Sequence, residues 1–213
     1  MHRKVYTIQD IDAFPRRERA QFINSLNGIK SIHLIGTQNA QGAENLGLFN
    51  NVFHMSSSPA MMGVLFRPLT VPRHTYQNIR ETGNFTINHV PVDRIQAAHW
   101  TSAKFPKEVS EFQACGFHAE HFEGITAPFV AESPLQIGLK YINEYPIEEN
   151  GTVLLIGQIE VVQIKEAAME KGGFINYQEL HTAGTIGLNT YFSFQEKAKF
   201  PYAQPMENPR KQD

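Results

Sequence analysis

Leu135-Gln-Ile-Gly-Leu-Lys-Tyr-Ile-Asn-Glu-Tyr145 and Thr152-Val-Leu-Leu-Ile-Gly-Gln-Ile-Glu-Val-Val-Gln-Ile164 are two long runs rich in β-branched and aromatic residues, separated by Pro146-Ile-Glu-Glu-Asn-Gly151. Residues of this kind suit the pleated, half-buried surface of a strand. A link carrying Pro, Asn and Gly supplies the fixed and left-handed backbone angles that a reversal needs. The pattern predicts an antiparallel hairpin, the clearest element in the chain and the anchor of a β-rich reading.

Working outward, residues 61–66 form a short apolar run bounded by Ser56-Ser-Ser-Pro59 and Arg67-Pro68, which fits a buried strand better than a helix of that length. Residues 31–37 alternate in part, Asn39-Ala-Gln-Gly42 supplies turn residues, and residues 45–55 form the next extended run, so the pair reads as a second hairpin. Thr75 is placed as the N-cap of a short helix, with Tyr76 and Ile79 on one side and Gly83 at the left-handed end. A strand over residues 84–90 follows. Helical turns are expected over 91–100, 108–114 before Gly116, and 166–171 before Gly172-Gly173.

At the N-terminus a helix is expected over about residues 12–27, with Pro15 in its first turn, Phe22, Ile23 and Leu26 on one face, and Gly28 beyond its end. It is expected to lie across the sheet. After Phe194 the chain carries Pro201, Pro205 and Pro209 among polar residues, which reads as an extended or disordered tail over 196–213. Residues 1–195 are read as one domain.

With 213 residues and 41% apolar content, the chain can bury one full core. Fifteen Phe and seven Tyr suit a sheet interior first, with some rings available to cover a flat ligand. The balance of 19 basic to 21 acidic residues, with no basic block longer than Arg16-Arg17, argues against a nucleic-acid partner. A single cysteine, Cys115, rules out an intrachain disulfide and a Cys-x-x-Cys pair, and is expected to be a small buried hydrophobe. No signal-peptide core or membrane-length apolar run is evident, so a soluble, cytoplasmic protein without membrane contact is expected.

Several motifs are lacking. The three spaced glycines of a dinucleotide fingerprint and the Gly-Lys-Ser/Thr of a phosphate loop do not occur, and Gly184-Thr-Ile-Gly187 is only a weak echo. No Gly-x-Ser-x-Gly elbow is present. His118-Ala-Glu-His121 would place both rings on one side only in a helix, whereas the segment after Gly116 reads as a strand, so no metal site is expected.

Residues 45–89 combine three features that suit a phosphorylated ring cofactor. Asn45-Leu-Gly-Leu-Phe-Asn-Asn-Val52 is an amide-rich strand, and Phe85-Thr-Ile-Asn-His89 is a strand exposing alternate side chains. Between them, Arg73-His-Thr-Tyr-Gln-Asn78 sets a cation and a hydroxyl at a helix start, where free N–H groups and the dipole favour a phosphate. Each feature alone has a plain account as a strand-edge amide, an ordinary cap or a surface charge. Their order and spacing carry the argument.

That order resembles the flavin reductase-like family, whose pattern runs from an Asn-rich strand through a Ser-Pro turn and a strand to Thr-x-x-Asn-Ile and Gly-x-Phe-x-x-Asn. Here these read as residues 45–52, Ser58-Pro59, residues 61–66, Thr75-Tyr-Gln-Asn-Ile79 and Gly83-Asn-Phe-Thr-Ile-Asn88. Trp100-Thr-Ser-Ala-Lys104, Glu111-Phe112, Pro128-Phe-Val-Ala-Glu-Ser-Pro134 and residues 184–191 resemble later landmarks, so the likeness spans roughly residues 29–192.

The resemblance implies a mainly β fold, an FMN-binding split barrel with a few short helices, and a homodimer whose pockets lie along the shared interface. It further implies Arg73, Thr75, Lys104 and Ser102 at the phosphate, Asn45, Asn50, Asn51 and Val52 along the ring, and Asn88 and His89 flanking it. The expected function is an FMN-binding oxidoreductase, foremost an NAD(P)H:flavin reductase using NADH or NADPH and needing no general acid. A flavoredoxin-like electron carrier reduced by a redox partner protein, and a non-catalytic FMN-binding module, stand as alternatives.

Overall fold

The computed structural model describes residues 2–187 and 189–202. Its strands are β1 (Lys30–Ser31), β2 (His33–Gln38), β3 (Glu44–Phe49), β4 (Val52–Ser57), β5 (Ala60–Phe66), β6 (Asn84–His89), β7 (Ala119–Phe122), β8 (Ile125–Val130), β9 (Leu135–Ile147), β10 (Thr152–Ile164), β11 (Ala183–Ile186) and β12 (Thr190–Ser193). The helices are α1 (Ile8–Asp12), α2 (Arg16–Ser25), α3 (His74–Thr82), α4 (Ile95–Trp100), α5 (Glu111–Cys115) and α6 (Tyr177–Leu180). The fold is mainly β, as the sequence predicts, and β9 and β10 form the long hairpin.

Seven strands make one sheet in the order β3-β2-β6-β9-β10-β5-β4. Its two edge strands, β3 and β4, are joined in sequence by only Asn50 and Asn51. A link of that length reaches about 11 Å at most, since successive Cα atoms stand about 3.8 Å apart. The sheet must therefore curl until its edges face each other. They do: Phe49 on β3 meets Phe66 on β5, ring to ring at 5.4 Å, and Leu65 N–H extends the β4–β5 pairing back to the Asn51 carbonyl at 2.9 Å. The result is a split barrel, with β1, β11 and β12 as one small sheet and β7 with β8 as another.

Inside the barrel, Phe85, Ile79, Leu139, Leu155, Val64 and Ile87 are fully buried. Each such side chain contributes about 1.5–3 kcal/mol. Phe85 fits because β10 passes it at Gly157, where a Cβ would lie 2.5 Å from the ring. The register shift between Ile156 and Gly157 bends the strand at that point. A second cluster, including Leu34, Leu46, Phe112 and Val130, packs between the barrel wall and the α4–α5 segment.

Several expectations are corrected. The helix expected over about residues 12–27 is α2, shorter at both ends and with Pro15 at its N-cap, and a separate short helix, α1, precedes it. Neither helix buries a residue. The run over residues 45–55 is two strands pairing with different partners, β3 with β2 and β4 with β5. Thr75 is not the cap of α3: Arg73 holds that place, and Thr75 lies in the first turn. Cys115 is only partly buried. Residues 194–202 carry no regular element, and residues 203–213 of the expected tail lie outside the described residues. Among the described residues no helix is long and apolar enough to cross a membrane.

Candidate functional site

Where the barrel edges meet, a cleft of about 630 Å³ opens beside β3, the start of α3 and the segment after α4. It gathers seven of the ten residues singled out from the sequence: Asn45, Asn50, Asn51, Arg73, Thr75, Ser102 and Lys104. They come from three stretches far apart in the chain.

Asn45 is buried and donates from Nδ2 to Thr75 Oγ1 at 3.0 Å and to Thr37 Oγ1 at 3.2 Å. Asn78 Nδ2 donates to the same Thr37 oxygen at 3.1 Å, which ties α3 to the barrel. The Thr75 hydroxyl thus has its oxygen engaged from behind, and its own hydrogen remains to be donated into the cleft. α3 begins here with no side-chain cap, and the N–H groups of its first turn lie ahead of the first helical bond, Gln77 N–H to Arg73 O at 2.9 Å. Arg73 Nε is buried and has no hydrogen-bond partner. A buried donor beside an uncapped helix start is favourable to an anion, which can take up both.

Arg67 and His74 also line the cleft, and Glu111 is the one carboxylate among its lining residues. Its Oε2 accepts the Leu46 N–H at 3.0 Å. Burial raises the Glu111 carboxyl above the usual carboxylate range, opposed by that hydrogen bond and by His74. Since Leu46 directs its N–H away from β2, strand alternation directs the Leu48 N–H the same way, along the free edge of β3. Gly47 stands between them, and a Cβ there would come within 3.0 Å of the Phe49 ring and 3.2 Å of Thr75 Oγ1. Cationic groups at one end and backbone donors along one wall suit an elongated anion with a flat polar head, so the residues present fit a flavin mononucleotide.

The remaining predicted residues stand elsewhere or act differently. Val52 packs against the barrel core and pairs with Val64, outside the cleft lining. Asn88 is fully buried, with Nδ2 donating to the Leu34 carbonyl at 3.1 Å and to Thr86 Oγ1 at 2.9 Å, and Oδ1 accepting from Val130 N–H at 3.0 Å. His89 is sealed against His33, ring to ring at 4.5 Å. Burial lowers His89 to about 4 and drives His33 well below its ordinary value, with His89 adding to the effect. Neither Asn88 nor His89 reaches the cleft.

Asn50 and Asn51 line the cleft, but Asn50 Nδ2 donates to Gly187 O at 3.0 Å and Asn51 Oδ1 accepts from Lys30 Nζ at 3.1 Å. Their side chains hold the β3–β4 crossing in place. Ser102 donates its hydroxyl to His99 O at 2.6 Å, so it turns its remaining lone pairs outward. Sequence reasoning missed Arg67, Gly47, His74 and Glu111. Glu111 and His74 stood inside segments already noted, while Arg67 read as a strand-ending charge.

A family model described as "Flavin reductase like domain" matches residues 29–182. An uncharacterized protein of Halalkalibacterium halodurans is 24% identical over 191 residues, covering 87% of this chain and 91% of the relative. Among solved structures, a split-barrel protein from Shewanella frigidimarina, provisionally described as a flavin reductase, superposes with a TM-score of 0.90 at 41% identity, covering 95% of this chain and 100% of that one. Nitrilotriacetate monooxygenase component B from Bacillus cereus has a TM-score of 0.83 at 18% identity, covering 93% and 100%. Flavoredoxin of Desulfovibrio vulgaris has 0.72 at 22%, covering 83% and 92%, and these last two share the fold. With the family model spanning most of the chain and the split barrel in place, this protein belongs to the flavin reductase like domain family.

Proposed function

We propose that the chain is an FMN-binding oxidoreductase that works as an NAD(P)H:flavin reductase. The observation that carries this reading is the convergence of the unpartnered Arg73 Nε, the Thr75 hydroxyl and the uncapped start of α3 at one end of the cleft. Together they offer charge-assisted and backbone donors suited to a phosphate close to a dianion at neutral pH. Lys104 and Arg67 add positive charge at the same cleft, and Ser102 contributes polar surface.

Along the wall, the Leu48 N–H and the backbone around Asn50 and Asn51 face the place for the ring, whose polar rim gains electron density on reduction and is favoured by N–H donors. A bound flavin would supply the redox chemistry, as a hydride acceptor suited to a nicotinamide donor. This chain binds and orients the two rings and needs no general acid for that transfer. Exposed Ile23, Leu26 and Ile29 at the end of α2 and just beyond it support a homodimer. Light scattering on a sizing column reads that directly.

The test is a visible spectrum of the FMN-loaded protein before and after anaerobic addition of NADH or NADPH. Bleaching of the flavin bands by either nucleotide is the expected result. Bands that persist with both would assign the chain to electron carriage from a protein donor instead. Absence of any FMN binding would remove the reading.

A further inference from the structure

Glu111 is the one lining residue whose charge opposes an anionic ligand. Its residue is 7% exposed, it begins the short helix α5, and it crosses the cleft wall to take the Leu46 N–H at 3.0 Å. A buried carboxylate is unfavourable unless it is hydrogen-bonded, and this bond goes to an outer-edge N–H that pairing with β2 leaves free. The groups facing it are His74 at the start of α3 and Cys115 on its own helix, with the cations Arg73, Arg67 and Lys104 across the same cleft.

The consequence is mechanical. β3 is an edge strand followed at once by the Asn50-Asn51 crossing, so its outer N–H groups lack a neighbouring strand to fix their direction. Leu46 and Leu48 are two residues apart and point the same way. A bond that pins the first sets the aim of the second.

We propose that Glu111 is a positioning residue of the cleft, which by accepting the Leu46 N–H fixes the outer edge of β3 and presents the Leu48 N–H to the polar rim of the flavin ring. This rests on the FMN reading above. It differs from that reading in predicting a loss shared by flavins with and without a phosphate.

FMN and riboflavin, which lacks the phosphate, serve as the probes, with dissociation constants from quenching of flavin fluorescence. Glu111→Ala is expected to weaken both about tenfold and in parallel, and to move the visible bands of the bound flavin. Glu111→Gln keeps an acceptor oxygen and is expected to remain within about threefold of wild type. Glu111→Asp is too short to reach Leu46 and is expected to follow Ala, which carries the test if the Ala variant does not fold. Wild-type affinity for riboflavin in Glu111→Ala and Glu111→Asp, a loss confined to FMN, or a Gln variant as weak as Ala would each overturn the proposal. A wild-type protein that binds neither flavin would overturn the FMN reading and this proposal together.

Discussion

Asn45 and Asn88 lie on strands of the same sheet, both buried, yet they stand in opposite situations. Asn88 donates twice and accepts once within the barrel wall, and nothing polar on its side chain is left for a ligand. Asn45 instead donates to Thr75 Oγ1, and so passes a hydrogen-bond direction out to the cleft, where Arg73 Nε has no partner. Polar groups that are completed internally hold the fold, whereas groups completed only from behind mark where something else must bind.

The sharpest way to break this contrast is Asn88→Ala. It leaves Val130 N–H unpaired in the barrel wall and removes the side-chain bonds to the Leu34 carbonyl and Thr86, so a loss of about 3 kcal/mol in denaturant unfolding is expected, with FMN affinity of the folded protein unchanged. A loss below about 1 kcal/mol would mean that the asparagine is not completing those groups.

Acid tests the same sealed region by another route. His89, lowered to about 4 by burial, stays neutral in the folded protein while the unfolded chain takes up a proton below 6.5. The unfolded state then binds more protons, so stability falls as pH drops from 6.5 to about 4 and is flat from this source above 6.5. His89 accounts for about 3 kcal/mol over that interval, and the buried His33 acts in the same direction. Urea titrations at a series of pH values read the slope, and a flat profile would contradict the sealed placement.

At the cleft, Arg73→Ala combined with Thr75→Ala is expected to weaken FMN about 100-fold, equivalent to about 2.7 kcal/mol. Unchanged affinity in an isothermal titration would remove the phosphate site. Smaller still is Lys104→Ala. An exposed, solvated cation should change FMN affinity by about threefold, and the difference should shrink at high salt.

The strands were legible because their residues are β-branched and bounded by turn chemistry, and the cleft was legible because Arg73, Thr75 and Asn45 sit in a recognisable order. What was not legible depends on which way a strand closes. Residues 45–55 read as one strand since nothing local marks Asn50-Asn51 as a crossing between sheet edges, a consequence of barrel closure. Asn88 and His89 looked like site residues because alternation reveals two faces without saying which one is covered. Here β8 and α6 cover that end: Val130 binds Asn88, and Tyr177 packs 5.7 Å from His89. Glu111 was hidden for the opposite reason, since its partner Leu46 is 65 residues away and the bond is to backbone.

The central claim, that the cleft recognises a flavin by its phosphate at the start of α3, is tested most directly by comparing FMN and riboflavin on the wild-type protein. The account predicts saturable binding of FMN at one per chain, and riboflavin weaker by about 100-fold, the effect assigned above to Arg73 and Thr75. Equal affinity for the two would contradict it, because the phosphate would then be making no contact with the donors gathered there.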